Sequence, residues 1–220
     1  MKSVLLTRSD TENDLLMLRL QESGYETLSC NLIKYELQKV DEAGFKRFKQ
    51  IIVTSSFAAN NAPPAHSKGV SAWAVGKKSA KILASKGYEI RFVAPSAESL
   101  KDQFVEDTNK PTLYLSSNYI TIDMPFFVTR CIFYKVTYQD SLTEQQIARY
   151  KNGVDYILLY SENSAKTFLK LVKENNLLHC LENSTIITIS SKISKVLADY
   201  FKTSVVCNGT DLILEYLKSK

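Results

Sequence analysis

The amino-acid sequence predicts an α/β protein of two similar lobes with parallel sheets, and three observations carry that prediction. Short apolar runs rich in Val, Ile and Leu alternate with amphipathic helical stretches along the whole chain, the pattern of parallel strands joined by helical crossovers. One strand–turn–helix–strand unit occurs twice: AVGKKSAKILASKGYEIRFV is echoed by TISSKISKVLADYFKTSVVC, a step of 114 that carries Lys81 onto Lys195, Leu83 onto Leu197 and Ala84 onto Ala198. The echo extends upstream, where IIVTSS from Ile51 is matched by ILLYSE from Ile157. A repeated supersecondary unit of this size implies two related lobes.

Taken in order, SVLLT (Ser3 to Thr7) is a strand and TENDLLMLRLQESG a helix, with Thr11 and Asp14 placed as a capping box and Gly24 as the stop. YETLSC is the next strand, and NLIKYELQKV alternates apolar and polar residues as it leads out of this unit. FKQIIVTSS ends a strand at Thr54–Ser55, and NNAPPAHSKG is a loop, since Pro63–Pro64 bars helix and sheet interior alike. SAWAVG, KKSAKILASKG (closed by Gly87) and YEIRFVA read as strand, helix and strand, followed by the helix PSAESLKDQFVED and the strand PTLYLSS. NYITIDMPFFV fits a broken helix or an extended segment, because Pro125 interrupts both. TRCIFYKVTYQ is a long strand with Tyr134, Val136 and Tyr138 on one face. SLTEQQIARY is a helix with Thr143 and Gln146 as its capping box. VDYILLYS, ENSAKTFLKLVKENN, STIITIS, SKISKVLADYF, KTSVVC and GTDLILEYLKSK then alternate strand and helix to the end.

Composition narrows the function. The 220 residues are 45% hydrophobic and 23% charged, an ordinary globular balance. The net charge of +5 suits an anionic ligand, but the lysines fall at helical spacing and no basic stripe interleaves with aromatics, so no nucleic-acid partner is expected. No apolar run approaches the ~20 residues of a membrane span, and the apolar core of MKSVLLTRSD is too short for a secretory signal. The expectation is a cytoplasmic protein with no membrane association. Cys30, Cys131, Cys180 and Cys207 form no C-x-x-C pair and read as reduced thiols. With His66 and His179 as the whole imidazole supply, a metal site is not expected.

Gly76, between strand and helix, raises the question of a phosphate loop. A P-loop requires G-x-x-x-x-G-K-[ST] and a dinucleotide fold G-x-G-x-x-G; Gly76 stands alone, and its counterpart turn is Ser190–Ser191. What the repeat does supply is a set of helix starts, after Thr7, Ser55, Gly76, Ser161 and Ser190. Helix starts carry unpaired N–H groups that attract phosphate or carboxylate, and in an open α/β sheet they lie at the strands' carboxyl ends, where ligands bind. Ser55, Ser79 and Ser161 serve equally well as helix caps, and Lys77 and Lys78 read as solvated.

These pieces together resemble the uroporphyrinogen-III synthase family nearly end to end. VLLTR with Arg8, IIVTSSFAA, AVGKKSA with Ser79 in a hydroxyl position, KVTYQD, ILLYSENSAKTF and TISSKISKVLADYF are similar to the family's segments in their order and spacing. The chain departs from the pattern at Ser190–Ser191, where a glycine turn is usual, and at Lys192 and Ile193, which replace paired hydroxyls.

The resemblance implies two flavodoxin-like lobes, residues 1–35 with 140–220 and residues 38–133, joined by a two-stranded connector around 31–37 and 133–139 that would act as a hinge. It implies a cyclising hydro-lyase of haem and other porphyrin biosynthesis, needing neither metal nor cofactor and working as a monomer. The substrate is the linear tetrapyrrole hydroxymethylbilane, closed with loss of water and inversion of ring D to uroporphyrinogen III. Substrate carboxylates would be held in the cleft between lobes by helix-start amides, with Ser55, Gly76, Ser79, Ser161, Ser190 and Ser191 as binding positions and Arg8 and Lys192 as charged partners. Tyr138 falls on the family's implicated tyrosine and would assist departure of the hydroxyl; Tyr134, on the same strand face, is its rival. The alternative is a non-catalytic two-lobed binder of a small anion. A phosphoacceptor module is disfavoured, since Asp10 alone lies near a strand end.

Overall fold

Runs of consecutive apolar residues become inner strands, because a parallel strand covered by helices on both faces buries every side chain. The structure is a computed structural model that describes all residues except Ser9, Asp10, Glu106 and Thr108, and all side chains except theirs and those of Thr11, Glu12, Asn13 and Glu42. In chain order the elements are β1 (Ser3–Leu6), α1 (Thr11–Glu22), β2 (Glu26–Ser29), β3 (Ile33–Leu37), α2 (Glu42–Phe45), β4 (Gln50–Val53), α3 (Ser56–Asn61), β5 (Ser71–Val75), α4 (Lys77–Ser85), β6 (Glu89–Ala94) and α5 (Ala97–Gln103). They continue with β7 (Thr112–Ser117), β8 (Val128–Tyr138), α6 (Glu144–Lys151), β9 (Tyr156–Leu159), α7 (Glu162–Glu174), α8 (Leu178–Leu181), β10 (Thr185–Thr188), α9 (Ser191–Leu197), β11 (Thr203–Val206) and α10 (Thr210–Lys218). The α/β class expected from the alternating pattern is what the chain adopts.

Two compact units result, Met1–Lys34 with Thr137–Lys220, and Tyr35–Val136. The first holds a five-stranded sheet in the order β11-β10-β9-β1-β2, every pair parallel. The second sheet runs β3-β8-β7-β4-β5-β6 and is parallel from β8 to β6. Beside β8, Gln38 N donates to Phe133 O and Gln139 N to Leu32 O, both at 2.9 Å, so β3 runs antiparallel to it. Set side by side, β6-β5-β4-β7-β8 and β11-β10-β9-β1-β2 are one spatial order threaded in two chain orders. Three consecutive strands step outward from the centre, and a pair fills the other side. The repeat seen in the sequence is that outward-stepping triplet, β4 to β6 and β9 to β11.

Alternation along the strands sends side chains to two cores per sheet. In the first unit Leu5, Ile157, Leu159 and Ile186 meet Tyr150 of α6 and Phe168 and Leu171 of α7. Val4, Leu6, Leu158 and Ile187 meet Leu16 and Leu20 of α1 and Ile213 and Leu217 of α10 on the opposite face. In the second unit Ile51, Val53, Ala72 and Leu115 pack on Ala58 and Leu83, while Ile52 and Tyr114 pack on Leu100 and Phe104. Helix α7 follows its pattern: Ala165, Phe168, Leu171 and Val172 are buried at the spacing that places them on one face.

The capping box expected on α6 forms, with Gln146 N donating to Thr143 Oγ1 (3.2 Å) and Thr143 N to Gln146 Oε1 (3.0 Å). The one expected on α1 rests on Thr11, whose side chain lies outside the described residues. Three short helices, α2, α3 and α8, were not expected; with four to six residues each, they are too short to show a 3.6-residue period. Residues 118–127, left open between helix and strand, form neither, as Pro125 requires. Among the described residues no helix is long and apolar enough to cross a membrane, and no His/Cys/Asp/Glu group is placed to hold a metal ion.

Phe168 is 1% exposed and packs against Tyr150 and Phe201. Phe168→Ala should cost about 3–5 kcal/mol, read as a lower urea midpoint at unchanged m-value. His66 is held below the usual imidazole range by burial first, then by Lys49 and Lys46, and neither ring nitrogen has a hydrogen-bond partner. The folded state therefore resists a proton that the unfolded state accepts, so stability present at neutral pH is lost as pH falls below about 6.5. His66→Gln should flatten that acid limb in urea melts between pH 7 and 5.

Candidate functional site

All strands of a parallel array point the same way, so every following helix begins at one edge and turns its unpaired amides there. In the first unit that edge carries the turn after β9. Ser161 caps α7 reciprocally: its Oγ accepts from Ser164 N (3.0 Å) while Ser161 N donates to Ser164 Oγ (3.0 Å). The amides of Glu162 and Asn163, next in the first turn, have no acceptor within the helix.

Two further sequence-predicted residues lie near this strand end, one beside Tyr160 and one at the start of α7. Arg8, which follows β1 next to β9, lays its guanidinium over the Tyr160 ring at 5.4 Å. Tyr138, the last residue of β8, accepts a 2.9 Å hydrogen bond at its phenolic oxygen from Asn163 Nδ2. A cavity of about 680 Å³ opens beside Tyr138, lined also by Ser29, Asn31, Lys34, Asp140 and Gln146. That volume suits a sizeable polar ligand. The cavity carries one cation and one anion, Lys34 and Asp140, near the phenol.

The backbone after Tyr138 is tied down by side chains. Gln139 Nε2 donates to Gln146 Oε1 (2.9 Å) and to Ser141 O (2.7 Å), and Gln146 Nε2 donates to Cys30 Sγ (3.2 Å). Burial pushes the Cys30 thiol up, so it stays protonated and is not a nucleophile. Both residues of the Tyr–Gln pair line the cavity, and the second also anchors the strand end to α6.

The turn after β10 places Ser190 at the start of α9, with Ser191 and Lys192 exposed beside it. Ser190 makes no side-chain cap bond, and its carbonyl accepts from Thr188 Oγ1 (3.1 Å). The equivalent turn in the second unit is built differently. A single residue, Gly76, separates β5 from α4, at φ +81°, whereas two residues separate β10 from α9 and Ser190 stays extended at φ −158°. The shorter turn requires the glycine and the longer one does not. Gly76's own amide donates to Ala94 O (2.9 Å), so it is already occupied, and Ser79 is 3% exposed within α4.

Tyr134 and Ser55 form a separate cluster in the second unit. Tyr134 donates to Ser55 Oγ (2.9 Å), which also accepts from Ala58 N as the cap of α3. The Tyr134 ring is 7% exposed and packs against the stacked pair Phe57 and Tyr35. Tyr138 therefore borders a cavity while Tyr134 is packed.

The family model described as Uroporphyrinogen-III synthase HemD matches residues 14–209. The chain belongs to the uroporphyrinogen-III synthase family. It is 30% identical to an uncharacterized protein of Rickettsia prowazekii (strain Madrid E), over 95% of this chain and 94% of that one. Among solved structures it is similar to a mutant uroporphyrinogen III synthase from Thermus thermophilus (TM-score 0.65, 12% identity, 100% of this chain and 98% of that one). The uroporphyrinogen-III synthetase of Helicobacter pylori is similar too (TM-score 0.60, 17% identity, 100% and 99%). At such identities the likeness to those synthases speaks for the fold alone.

The sequence singles out Tyr138, Ser161 and Arg8 as candidates; it does not single out Asn163, Lys34 or Asn31, and it marks Gln146 only as a helix cap. Asn163 is the one with a detectable signal, an asparagine inside the first turn of a helix whose cap is already supplied. Ser161→Ala should cost about 0.5–2 kcal/mol through loss of the cap. Gly76→Ala should cost about 1–3 kcal/mol from backbone strain alone, since nothing lies within 4 Å of an added Cβ. Urea unfolding of each variant measures both.

Proposed function

We propose that this protein is a working uroporphyrinogen-III synthase, which cyclises hydroxymethylbilane with inversion of ring D and loss of water. The observation that carries the reading is Tyr138, at the end of β8 with its phenol over the first turn of α7 and beside a polar cavity. Family membership and fold support it.

The reaction needs a polyacid held in a curled conformation and a weak acid beside the leaving hydroxyl. Helix-start amides and Arg8 suit the carboxylates; in this reading Ser161, Ser190, Ser191 and Lys192 mark the turns of the first unit that hold them. A phenol suits the second task, being neutral at rest and able to give a proton. The Tyr138 proton passes to the terminal hydroxyl, the C–O electron pair stays on oxygen, and water leaves a cation delocalised over the pyrrole. Ring D attacks through its substituted carbon, and the spiro intermediate fragments and recloses with that ring reversed. The proton lost as the ring regains aromaticity restores the phenol, so atoms and charge balance with no cofactor.

Supplying hydroxymethylbilane, oxidising the product and separating the uroporphyrin isomers tests the reading. Isomer III above the spontaneous isomer I background is expected; isomer I alone would refute it, and binding without turnover would point to an anion-binding protein. Tyr138→Phe should lower turnover about ten- to a hundredfold with the fold intact, and unchanged turnover would remove Tyr138 from the mechanism.

A further inference from the structure

We propose that Asn163 is a positioning residue that strengthens Tyr138 as an acid by donating its carboxamide hydrogen to the phenolic oxygen. In its effect on turnover the proposal rests on the synthase reading; in its effect on the phenol it does not.

Asn163 is the second residue of α7, where asparagine is a poor helix former. Its usual use near a helix start is as a cap, but Ser161 and Ser164 already form that box. The carboxamide instead reaches out of the helix to a strand end 25 residues away, Nδ2 to phenolic oxygen at 2.9 Å. A donor aimed at a phenolic oxygen stabilises the phenolate more than the phenol, so the proton leaves more readily. The amino end of a helix of 13 residues acts in the same direction. Other charges bear on the phenol too. Lys34 of β3, which lines the same cavity as Tyr138, favours the phenolate; Asp140, which also lines it, and Glu162, next to Asn163 in the first turn of α7, oppose it. Among these groups Asn163 is the one with a hydrogen bond to the phenolic oxygen itself.

The test uses protein labelled with ¹³C at tyrosine Cζ, the Tyr138 resonance being assigned by its loss in Tyr138→Phe. In Asn163→Leu, of similar size but with no donor, the Tyr138 resonance should move at neutral pH and its titration should rise by about 0.5–1 pH unit. Asn163→Asp, which puts a carboxylate against the phenol, should raise it further, and Asn163→Gln, which keeps the donor, should restore part of the wild-type value. In the cyclisation assay Asn163→Leu should lower kcat about three- to tenfold with KM unchanged and shift the alkaline limb of its pH profile upward. Asn163 is exposed, and circular dichroism verifies the fold of each variant. A Tyr138 resonance and titration identical to wild type in folded Asn163→Leu and Asn163→Asp would overturn the proposal. Wild-type protein that yields no isomer III, with the Tyr138 resonance still displaced by Asn163→Leu, would sink the synthase reading and leave this one standing.

Discussion

Parallel pairing is the constraint on which the rest depends. Once β9, β10 and β1 run the same way, their carboxyl ends share one edge, and each crossover must begin its helix there. Unpaired amides, N-cap hydroxyls and the residues just past each strand are thereby gathered without any dedicated loop. Arg8, the Ser161–Asn163 turn and Ser190 are distant in the chain and belong to this edge because of strand direction alone. The cores enforce it, since shifting one strand by a single residue would turn Leu158 and Ile157 to the wrong faces.

Turn length decides which residues such an edge tolerates. Where one residue links strand to helix the chain must take a positive φ, and Gly76 supplies it. Where two residues do so, at Ser190, an ordinary extended conformation suffices and a hydroxyl replaces the glycine. The chain's departure from the usual family turn at that position is thus a change in how the strand ends, with the helix start kept. Core residues are freer still: similar folds at 12–17% identity are what is expected when apolar volume and pattern matter more than identity.

Next to Tyr138 the polar side chains form a support that anchors the end of its strand. Gln146 caps its own helix, receives Gln139 and donates to Cys30, so the strand end, α6 and the residue after β2 are joined with no ionised group. A buried thiol kept neutral adds no competing charge. Such a support fixes geometry while leaving the charges of the cavity lining to Lys34 and Asp140.

By itself the sequence determined the α/β class, because period-two and period-3.6 patterns are local and the strands announce themselves by unbroken runs such as YILL and QIIV. It also marked helix starts through caps such as Thr143–Gln146, whose partners lie three residues apart. It did not reveal the one-turn helices, which are shorter than any period, nor that both sheets use one spatial order threaded in two ways, since strand order is set by long-range packing. The contrast between Tyr134 and Tyr138 is of the same kind. Four residues apart on one strand face, they have the same periodicity and differ only through the family resemblance, and it is the elements folded against each that pack one ring on Phe57 and Tyr35 and bring the other to Asn163.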